Sequence, residues 1–418
     1  MPRPALHGPI TQSLVIGEFS PHIRTRSSTW TGYAFLWCMK PVRYVTLLGA
    51  VVLGLPSWGQ RVPVAAGFSD TIIFVAGLPY QAFGYEGPAP LFVQVWHPVD
   101  EMQDGPLALR ELREPSLDGP LKRVHQELLL RTDSAFIEYD LRYPLDADEP
   151  IDYAAFGEEQ VLDSLMALPT WSHRAPLPER CDAPVIVYHH GSQGLPDENV
   201  WMAEYFASRG YCFVSANFHW PLEGAMYGTP LVWAPDSASV HRLIGFARGL
   251  TTSDSVFYIG HSWGAQEGWV LLHEPGLVQA FVSLETTMEW KTDTVEVKDK
   301  WPRVYEALCT HHYPMPVLAV GDTEGEPPFP MFQRARADII YLDPKEPFGH
   351  ESYTSAALLR SLKNDRFPQP DSTLMAGQLR IYGELLKAME AFFTAVRGHR
   401  PFRAGDLRRT FHVSPPSP

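Results

Sequence analysis

A short glycine-flanked segment in the second half of the chain has the residue types and spacing of a nucleophile site. It reads Gly260-His261-Ser262-Trp263-Gly264, the pattern G-x-S-x-G, and it lies between an apolar run and a helix-like pattern. In a strand–turn–helix setting this spacing holds the serine in a strained turn, and the small flanking residues let strand and helix pass closely. The pattern therefore predicts that Ser262 is a nucleophile, with a surface serine in a glycine-rich turn as the alternative.

A serine hydroxyl needs a general base, and the loop after the last predicted strand offers one. His350 follows Gly349 there and is the one histidine between that strand and the final helix pattern. Histidine titrates near neutral pH, so it can accept the serine proton and later return it. We predict that His350 is the base and that His261 has no chemical role. The histidine pairs 189–190 and 311–312 lack a third residue at metal-ligand spacing.

A carboxylate must orient the base, and two predicted strand ends carry candidates. Glu285 follows the sixth predicted strand, while Asp322, Glu324 and Glu326 follow the seventh. A carboxylate at either end could accept the histidine Nδ1–H and stabilise the imidazolium. Spacing alone leaves the choice open, and each carboxylate has the alternative of being a solvated loop charge.

Two backbone N–H groups are candidates for stabilising the oxyanion that forms during acyl transfer. Trp263 directly follows the predicted nucleophile at a helix N-terminus, where its N–H faces developing negative charge. The loop after the third predicted strand contains Gly191, Ser192 and Gly194, and glycines allow a backbone to approach a substrate closely. We predict Trp263 and Ser192 as the two donors; a glycine-rich turn without a chemical role is the alternative for the second.

The loop after the fourth predicted strand, 219–235, is rich in aromatic residues. Trp220, Tyr227 and Trp233 lie in it and, together with Trp263, are candidates for an apolar substrate pocket. Ordinary aromatic packing is an equally good interpretation. The loop after the sixth predicted strand, 286–298, is too short for a large lid, so the sequence indicates an accessible site.

These residues must be positioned by a mostly parallel sheet. From the third strand-like run onward, helix-like patterns separate the strands, which is typical of a sheet with helices on both faces. A loop without a helix joins the first two runs, which predicts an antiparallel hairpin. The predicted strands are 71–75, 91–97, 184–190, 211–218, 255–261, 280–285, 316–322 and 338–342. The separating helix patterns are 198–208, 237–250, 263–273, 299–309 and 375–397.

The remaining segments are an insertion and a leader. Residues 99–180 contain helix patterns at 107–114, 120–132 and 154–168, and we expect a structural insertion that is long enough to extend to the site. Residues 39–59 combine basic residues, a short apolar run and a small-residue cleavage site. We therefore predict a leader and secretory signal over 1–59, starting at Met39, a catalytic domain over 60–418, and a secreted or periplasmic protein.

Composition excludes several classes of protein. The 418 residues carry a net charge of −14 and no basic run, which disfavours nucleic-acid binding. The apolar run at 44–55 is too short to span a bilayer. No phosphate loop, nucleotide fingerprint or metal cluster is present, so we expect no cofactor. The sequence does not define an oligomeric state.

The motifs together resemble the α/β-hydrolase superfamily, closest to secreted bacterial relatives of platelet-activating-factor acetylhydrolase and to dienelactone-hydrolase-like esterases. The resemblance covers about 85–98 and 183–396; the matching segments are 95–98, 190–191, 260–264, 282–285 and 349–350. It implies an α/β-hydrolase fold with an eight-stranded, mostly parallel sheet and a helical insertion between strands two and three.

The resemblance also favours one acid. Leu284-Glu285 lies 23 residues after Ser262 and matches the position of the acid in the acetylhydrolase branch, with Glu324 as the fallback in the G-x-x-D position of other branches. Both positions carry Glu here, whereas Asp is usual in the family.

The same layout places Cys181 before strand three and Cys212 at the start of its neighbour, within reach of a disulfide, although free buried thiols are the alternative. The expected activity is hydrolysis of carboxylic esters through an acyl-enzyme, on a small molecule or the end of a polymer. A peptidase or acyltransferase with the same residues, or a non-catalytic binding protein, are the alternatives.

Overall fold

The computed structural model describes residues 65–100, 102, 104–135, 158–192, 194–223, 237–323, 329–358 and 372–414. The predicted leader and signal segment, 1–59, lies outside the described residues, and so does the middle of the insertion, 136–157.

Ten strands of the described residues form one sheet. They are β1 (Ala65–Ala82), β2 (Tyr85–Val99), β3 (Ser172–Arg174), β4 (Val185–His189), β5 (Cys212–Ala216), β6 (Val256–His261), β7 (Ala280–Leu284), β8 (Val317–Val320), β9 (Ile339–Pro344) and β10 (Phe411–Ser414). Their order is β10-β9-β8-β7-β6-β4-β5-β2-β1-β3. All eight predicted strands are present, and two short strands extend the sheet at its edges.

The pairing directions agree with the sequence analysis. β1 and β2 form a long antiparallel hairpin, and β2 pairs antiparallel with β5. From β5 through β4, β6, β7 and β8 to β9 every pairing is parallel. The carboxyl ends of the central strands therefore meet at one edge of the sheet, where the predicted site residues follow them.

Helices cover both faces of the sheet. They are α1 (Leu109–Leu112), α2 (Gly119–Ala135), α3 (Glu158–Met166), α4 (Val200–Ser208), α5 (Ser237–Gly249), α6 (Trp263–Leu271), α7 (Thr294–Lys300), α8 (Pro302–Thr310), α9 (Ser355–Leu358) and α10 (Ser372–Arg397). Successive strand residues point to opposite faces. In β6, for example, Tyr258 packs in the core with α5 and α6, and Phe257 packs in the other core with α4 and α10.

The helix predicted at 299–309 differs from the structure. Two helices, α7 and α8, occupy this region and meet at Trp301. Pro302 lacks a backbone N–H and so interrupts a helix interior, but it fits the first turn of a new helix. The helix pattern in the sequence continues through Pro302, whereas in the structure one helix ends at Lys300 and a new one begins at the proline.

The two cysteines singled out by the resemblance lie side by side. Their Sγ atoms are 3.1 Å apart, and Cys181 Sγ also lies 3.3 Å from the carbonyl of Leu250. A disulfide bond is about 2.05 Å long, so both residues are free thiols here. The hydrogen bond between the thiols lowers the pKa of Cys181 and raises that of Cys212.

We expect Cys181 and Cys212 to form a disulfide when the protein is treated with oxidised glutathione, because the thiols are already in contact. Peptide mapping under non-reducing conditions should recover the two peptides joined, with Cys309 as the internal control that remains unpaired. Free thiols at both positions after this treatment would contradict the prediction.

Candidate active site

Ser262 lies in the turn between β6 and α6. Its backbone has φ 52° and ψ −117°, a conformation that side-chain-bearing residues adopt only where the surrounding structure enforces it. The Ser262 N–H donates to the carbonyl of Leu284 in neighbouring β7 at 2.9 Å, which fixes the turn to the sheet.

The glycines on either side of the turn are required by close packing. A Cβ added to Gly260 would overlap the backbone of Gly264, and one added to Gly264 would overlap the carbonyl of His189 in β4. Strand and helix thus approach each other in the way the motif indicates.

His350 faces this serine from the loop after β9. It is the first residue of a short 3-10 helix, His350–Tyr353. Its Nε2 lies 2.9 Å from Ser262 Oγ, which is the distance of a hydrogen bond donated by the serine hydroxyl. This arrangement would let the ring take the hydroxyl proton.

Glu285 lies behind the histidine ring. Its Oε1 is 3.5 Å from His350 Nδ1, its side chain is buried, and the same oxygen accepts the Thr287 N–H at 3.0 Å. The backbone N–H of Glu285 donates to the carbonyl of Val320 in β8 at 2.8 Å, and its φ is 44°. The ring therefore lies between the serine hydroxyl and a buried carboxylate.

Burial shifts the pKa values of Glu285 and His350 in the directions that favour the neutral form of each group. Burial raises the pKa of Glu285 to about 8, although the Thr287 N–H and the charge of His261 act in the opposite direction. Burial also lowers the pKa of His350, and the positive charge of His261 adds to this effect. At neutral pH the His350 ring is therefore unprotonated and can accept a proton.

The other predicted acids occupy different places. Asp322 follows β8, and its Oδ2 accepts the Phe348 N–H at 2.9 Å, so it holds the backbone of the histidine loop. Glu324 and Glu326 lie outside the described residues. A further buried carboxylate, Glu289, accepts the Thr286 N–H at 2.7 Å and shapes the turn that carries Glu285.

The two residues predicted to donate to the oxyanion lie where the sequence places them, one at the start of the helix after Ser262 and one in the turn after β4. Trp263 is the first residue of α6. Ser192 lies in the turn closed by the Gly194 N–H donating to the carbonyl of Gly191 at 3.1 Å, and it lines the same cavity as Ser262 and His350. Their roles as donors stay predictions.

That cavity has a volume of about 90 Å³, and the insertion forms one of its walls. Leu109, Arg113, Thr132, Asp133 and Met166, all from the insertion, line it. Arg113 pairs with Asp133 at 2.7 Å within this wall and connects the wall to the rest of the site through an ion pair of 2.9 Å with Asp197. The insertion thus extends to the site, which is the alternative that its length left open.

The predicted aromatic pocket is only partly within the described residues. Trp220 does not line the cavity: its side chain is buried in the core, where its Nε1–H donates to the carbonyl of Pro90 at 2.6 Å. Core packing, the alternative interpretation, is what the structure shows for this residue. Tyr227 and Trp233 lie outside the described residues.

Sequence reasoning missed two residues next to the predicted triad. Glu198 lies just before α4 and His261 is the last residue of β6; Glu198 Oε1 is 3.0 Å from His261 Nδ1. Both side chains are buried. The only hint in the sequence was a carboxylate four residues after the glycine turn, and its partner is 63 residues away along the chain.

Among the described residues, no group of three His, Cys, Asp or Glu side chains has the arrangement of a metal site. No helix in the described part of the chain is both long and apolar enough to cross a bilayer.

Known proteins resemble this chain in structure but not in sequence. No protein-family model matches the chain, and no curated protein is similar to it. A ferulic acid esterase from Streptomyces cinnamoneus is similar in structure, with 15% identity and a TM-score of 0.48 over 85% of this chain and 98% of that one.

Two further solved structures are similar over about half of this chain. They are Est1E from Butyrivibrio proteoclasticus with ferulic acid (13% identity, TM-score 0.31, 49% of this chain and 89% of that one) and an acylaminoacyl peptidase from Pyrococcus horikoshii (14% identity, TM-score 0.34, 50% of this chain and 37% of that one). The strand order, the parallel pairing and the serine turn after β6 are those of the α/β-hydrolase fold, and this chain has that fold.

Proposed function

We propose that the protein is a serine hydrolase that cleaves carboxylic esters through an acyl-enzyme, with Ser262, His350 and Glu285 as its triad. The observation that carries the proposal is the 2.9 Å contact between Ser262 Oγ and His350 Nε2 at a positive-φ turn, with the buried Glu285 carboxylate behind the ring. An isolated surface serine would have neither the base nor the strained turn.

In the first half of the reaction, His350 Nε2 accepts the proton of Ser262 as Oγ attacks the ester carbonyl carbon. The resulting oxyanion accepts hydrogen bonds from the N–H groups of Trp263 and Ser192. The tetrahedral intermediate then collapses, and the C–O bond to the alcohol breaks. The protonated His350 gives its proton to the leaving oxygen, which leaves an acyl group on Ser262.

In the second half, water replaces the alcohol. His350 accepts a proton from the water as its oxygen attacks the acyl carbonyl, and it returns that proton to Ser262 Oγ as the acid departs. During both halves the ring passes through an imidazolium. The Glu285 carboxylate, 3.5 Å from Nδ1, stabilises that cation more strongly in a buried site than it would in water.

The cavity favours neutral substrates of modest size. Its volume of about 90 Å³ is small, and the carboxylates of Asp133, Asp197, Glu198 and Glu351 in its described lining outnumber the cationic groups of Arg113 and His261. A negatively charged acyl or alcohol group would be repelled by this lining. We further propose secretion or a periplasmic location, on the basis of the signal-like segment at 39–59.

Ser262→Ala should abolish hydrolysis of a short neutral ester while preserving the thermal unfolding temperature, because it removes only the attacking oxygen. Labelling of the unmutated protein with a fluorophosphonate, followed by peptide mapping, should give one adduct on Ser262. Ser208→Ala, at the end of α4, is the matched control that should retain full activity. Turnover or labelling that persists in Ser262→Ala would remove Ser262 as the nucleophile.

Glu285→Gln should lower kcat by a factor on the order of 10⁴, because the amide cannot stabilise the imidazolium and favours the wrong ring tautomer. Glu324→Gln, which alters the fallback acid, should change kcat far less. Steady-state kinetics of both variants on one ester compares the two losses of kcat. A larger loss in Glu324→Gln than in Glu285→Gln would assign the acid to the segment after β8.

Activity should rise with pH through about 8, because the raised pKa of Glu285 leaves its carboxyl group protonated below that value. His350 has a lowered pKa and contributes no limb near neutral pH. The pH dependence of kcat/KM should therefore show an acid limb near 8 that is absent in Glu285→Gln. A limb that persists in this variant would assign the titration to another group.

A further inference from the structure

The ring of His261 connects a buried carboxylate to the backbone of the predicted base. Its Nδ1 lies 3.0 Å from Glu198 Oε1, and its Nε2 lies 3.1 Å from the backbone carbonyl oxygen of His350. The His261 side chain is 2% exposed. Both ring nitrogens therefore face hydrogen-bond acceptors inside the protein.

This geometry defines the protonation state of the ring. A neutral imidazole has one N–H and one lone pair, so it could satisfy only one of the two acceptors and would turn its lone pair toward the other. An imidazolium donates to both. The buried Glu198 carboxylate supplies the compensating negative charge, as a buried cation requires.

We propose that His261 is a buried imidazolium that, held by Glu198, fixes the backbone carbonyl of His350 and thereby positions the His350 ring against Ser262. The inference rests on the proposed function for the role of His350. His261 touches no reacting atom in this scheme and is a positioning residue.

The carboxylate that holds His261 is itself fixed on several sides. Glu198 accepts hydrogen bonds from the Tyr188 hydroxyl at 2.5 Å and from the Gly191 N–H at 3.0 Å. Because Gly191 lies in the turn that carries the predicted oxyanion donor Ser192, the same carboxylate contacts two parts of the site. A shift of the Glu198–His261 pair would therefore displace both the turn and the histidine loop.

Besides the bonds to His261 and Asp322, the histidine loop is held by Asn199. Asn199 Nδ2 donates to the carbonyl of Tyr353 at 2.9 Å, and the Ser355 N–H donates to Asn199 Oδ1 at 3.1 Å. These bonds hold the far end of the loop, whereas His261 holds the residue that bears the base. The loop should thus stay folded when the His261 bond is lost, while His350 itself gains freedom.

The charge of His261 also acts on the catalytic groups. Its ring centroid is 5.1 Å from that of His350, and its positive charge lowers the pKa values of both His350 and Glu285. Burial lowers the pKa of His261, but the charge and hydrogen bond of Glu198 outweigh burial and raise it to about 9. The titratable groups that face His261 or its partner are Asp197, Glu198, Glu285, Glu351, His190, His219, His350, Tyr188, Tyr353 and Tyr382.

The raised pKa sets a pH window for the ion pair. The stabilisation that comes from protonated His261 is complete below the ordinary value of 6.5 and is lost as pH rises through about 9. The ring is therefore charged throughout the neutral range.

The first test is kinetic. His261→Gln should lower kcat by about 10- to 100-fold with KM within about 2-fold, because the base is misplaced while the cavity is kept. The acid limb of kcat/KM should move to higher pH, because removal of the positive charge raises the pKa values of Glu285 and His350. A variant that only weakened the fold would lower the unfolding temperature without moving the limb.

Three further variants make this test decisive. Glu198→Gln should give a similar loss of kcat, and the double variant should lose no more than either single one, since the two residues act as a unit. His241→Gln is the matched control: its ring also contacts a carboxylate, Glu274 at 2.9 Å, and a backbone carbonyl, Ser237 at 2.6 Å, but its side chain is 35% exposed, whereas that of His261 is 2% exposed. Unchanged kcat and an unmoved limb in His261→Gln would overturn the proposal.

The second test needs neither enzymatic activity nor a substitution at His261 or Glu198. In the full chain labelled with ¹⁵N-histidine, both ring nitrogens of His261 should have imidazolium chemical shifts at pH 7.5, when most other rings are neutral. A neutral tautomer would overturn the proposal. If the protein shows the imidazolium but no labelling of Ser262 by fluorophosphonate, the proposed function and the positioning role fail together, while the ion pair itself is retained.

Discussion

The arrangement of the whole site depends on one buried carboxylate. Glu198 accepts hydrogen bonds from Tyr188, from the Gly191 N–H and from His261, and a Cβ on Gly194 would overlap its Oε2. An ionised carboxylate removed from water is costly unless such donors surround it. Any conformation that separates the turn of Gly191 or the serine turn from Glu198 removes a hydrogen bond that compensates this charge, which favours a single relative position of the two turns.

The sheet supplies the second constraint, because Ser262 and Glu285 each remain hydrogen bonded to the neighbouring strand just beyond the end of their own strand. The Ser262 N–H donates to Leu284 in β7, and the Glu285 N–H donates to Val320 in β8. The positive φ values at both residues turn the chain sharply immediately after these bonds. The separation of serine and carboxylate is thus set by strand spacing rather than by loop conformation.

The sequence analysis succeeded where the signal was local. The serine turn needs glycines at fixed offsets, and the alternation of strands and helices needs only periodicity, so all eight strands and the position of Ser262 were predicted. It was wrong about the helix spanning Pro302, and of its two interpretations of Trp220 the structure shows core packing. An aromatic residue in a loop next to a site has no local feature that separates a pocket wall from a core position, and Trp220 finds its partner in Pro90 of β2.

Contacts between residues that are distant in sequence could not be predicted from local patterns. His261 occupies a position of the motif for which any residue type is allowed, and only the adjacency of β4 and β6 brings it to Glu198. The insertion is a similar case. Its helix patterns were predicted, but its place along the cavity depends on Arg113 meeting Asp197 across the fold, and no periodicity indicates such a pair.

The two candidate strand ends for the acid are not equivalent once their surroundings are compared. Because β7 and β8 are neighbours, both ends reach the histidine loop, but Asp322 binds the backbone of Phe348 whereas Glu285 faces the ring of His350. A carboxylate bound to the backbone fixes where the loop lies; one that faces Nδ1 responds to the charge that forms on the ring. Glu285 is 1% exposed, and an ion stabilises a neighbouring cation most where water does not screen it. The spacing that left the choice open therefore reflects two carboxylates near the histidine loop, with Asp322 bonded to the loop backbone and Glu285 beside the ring of His350.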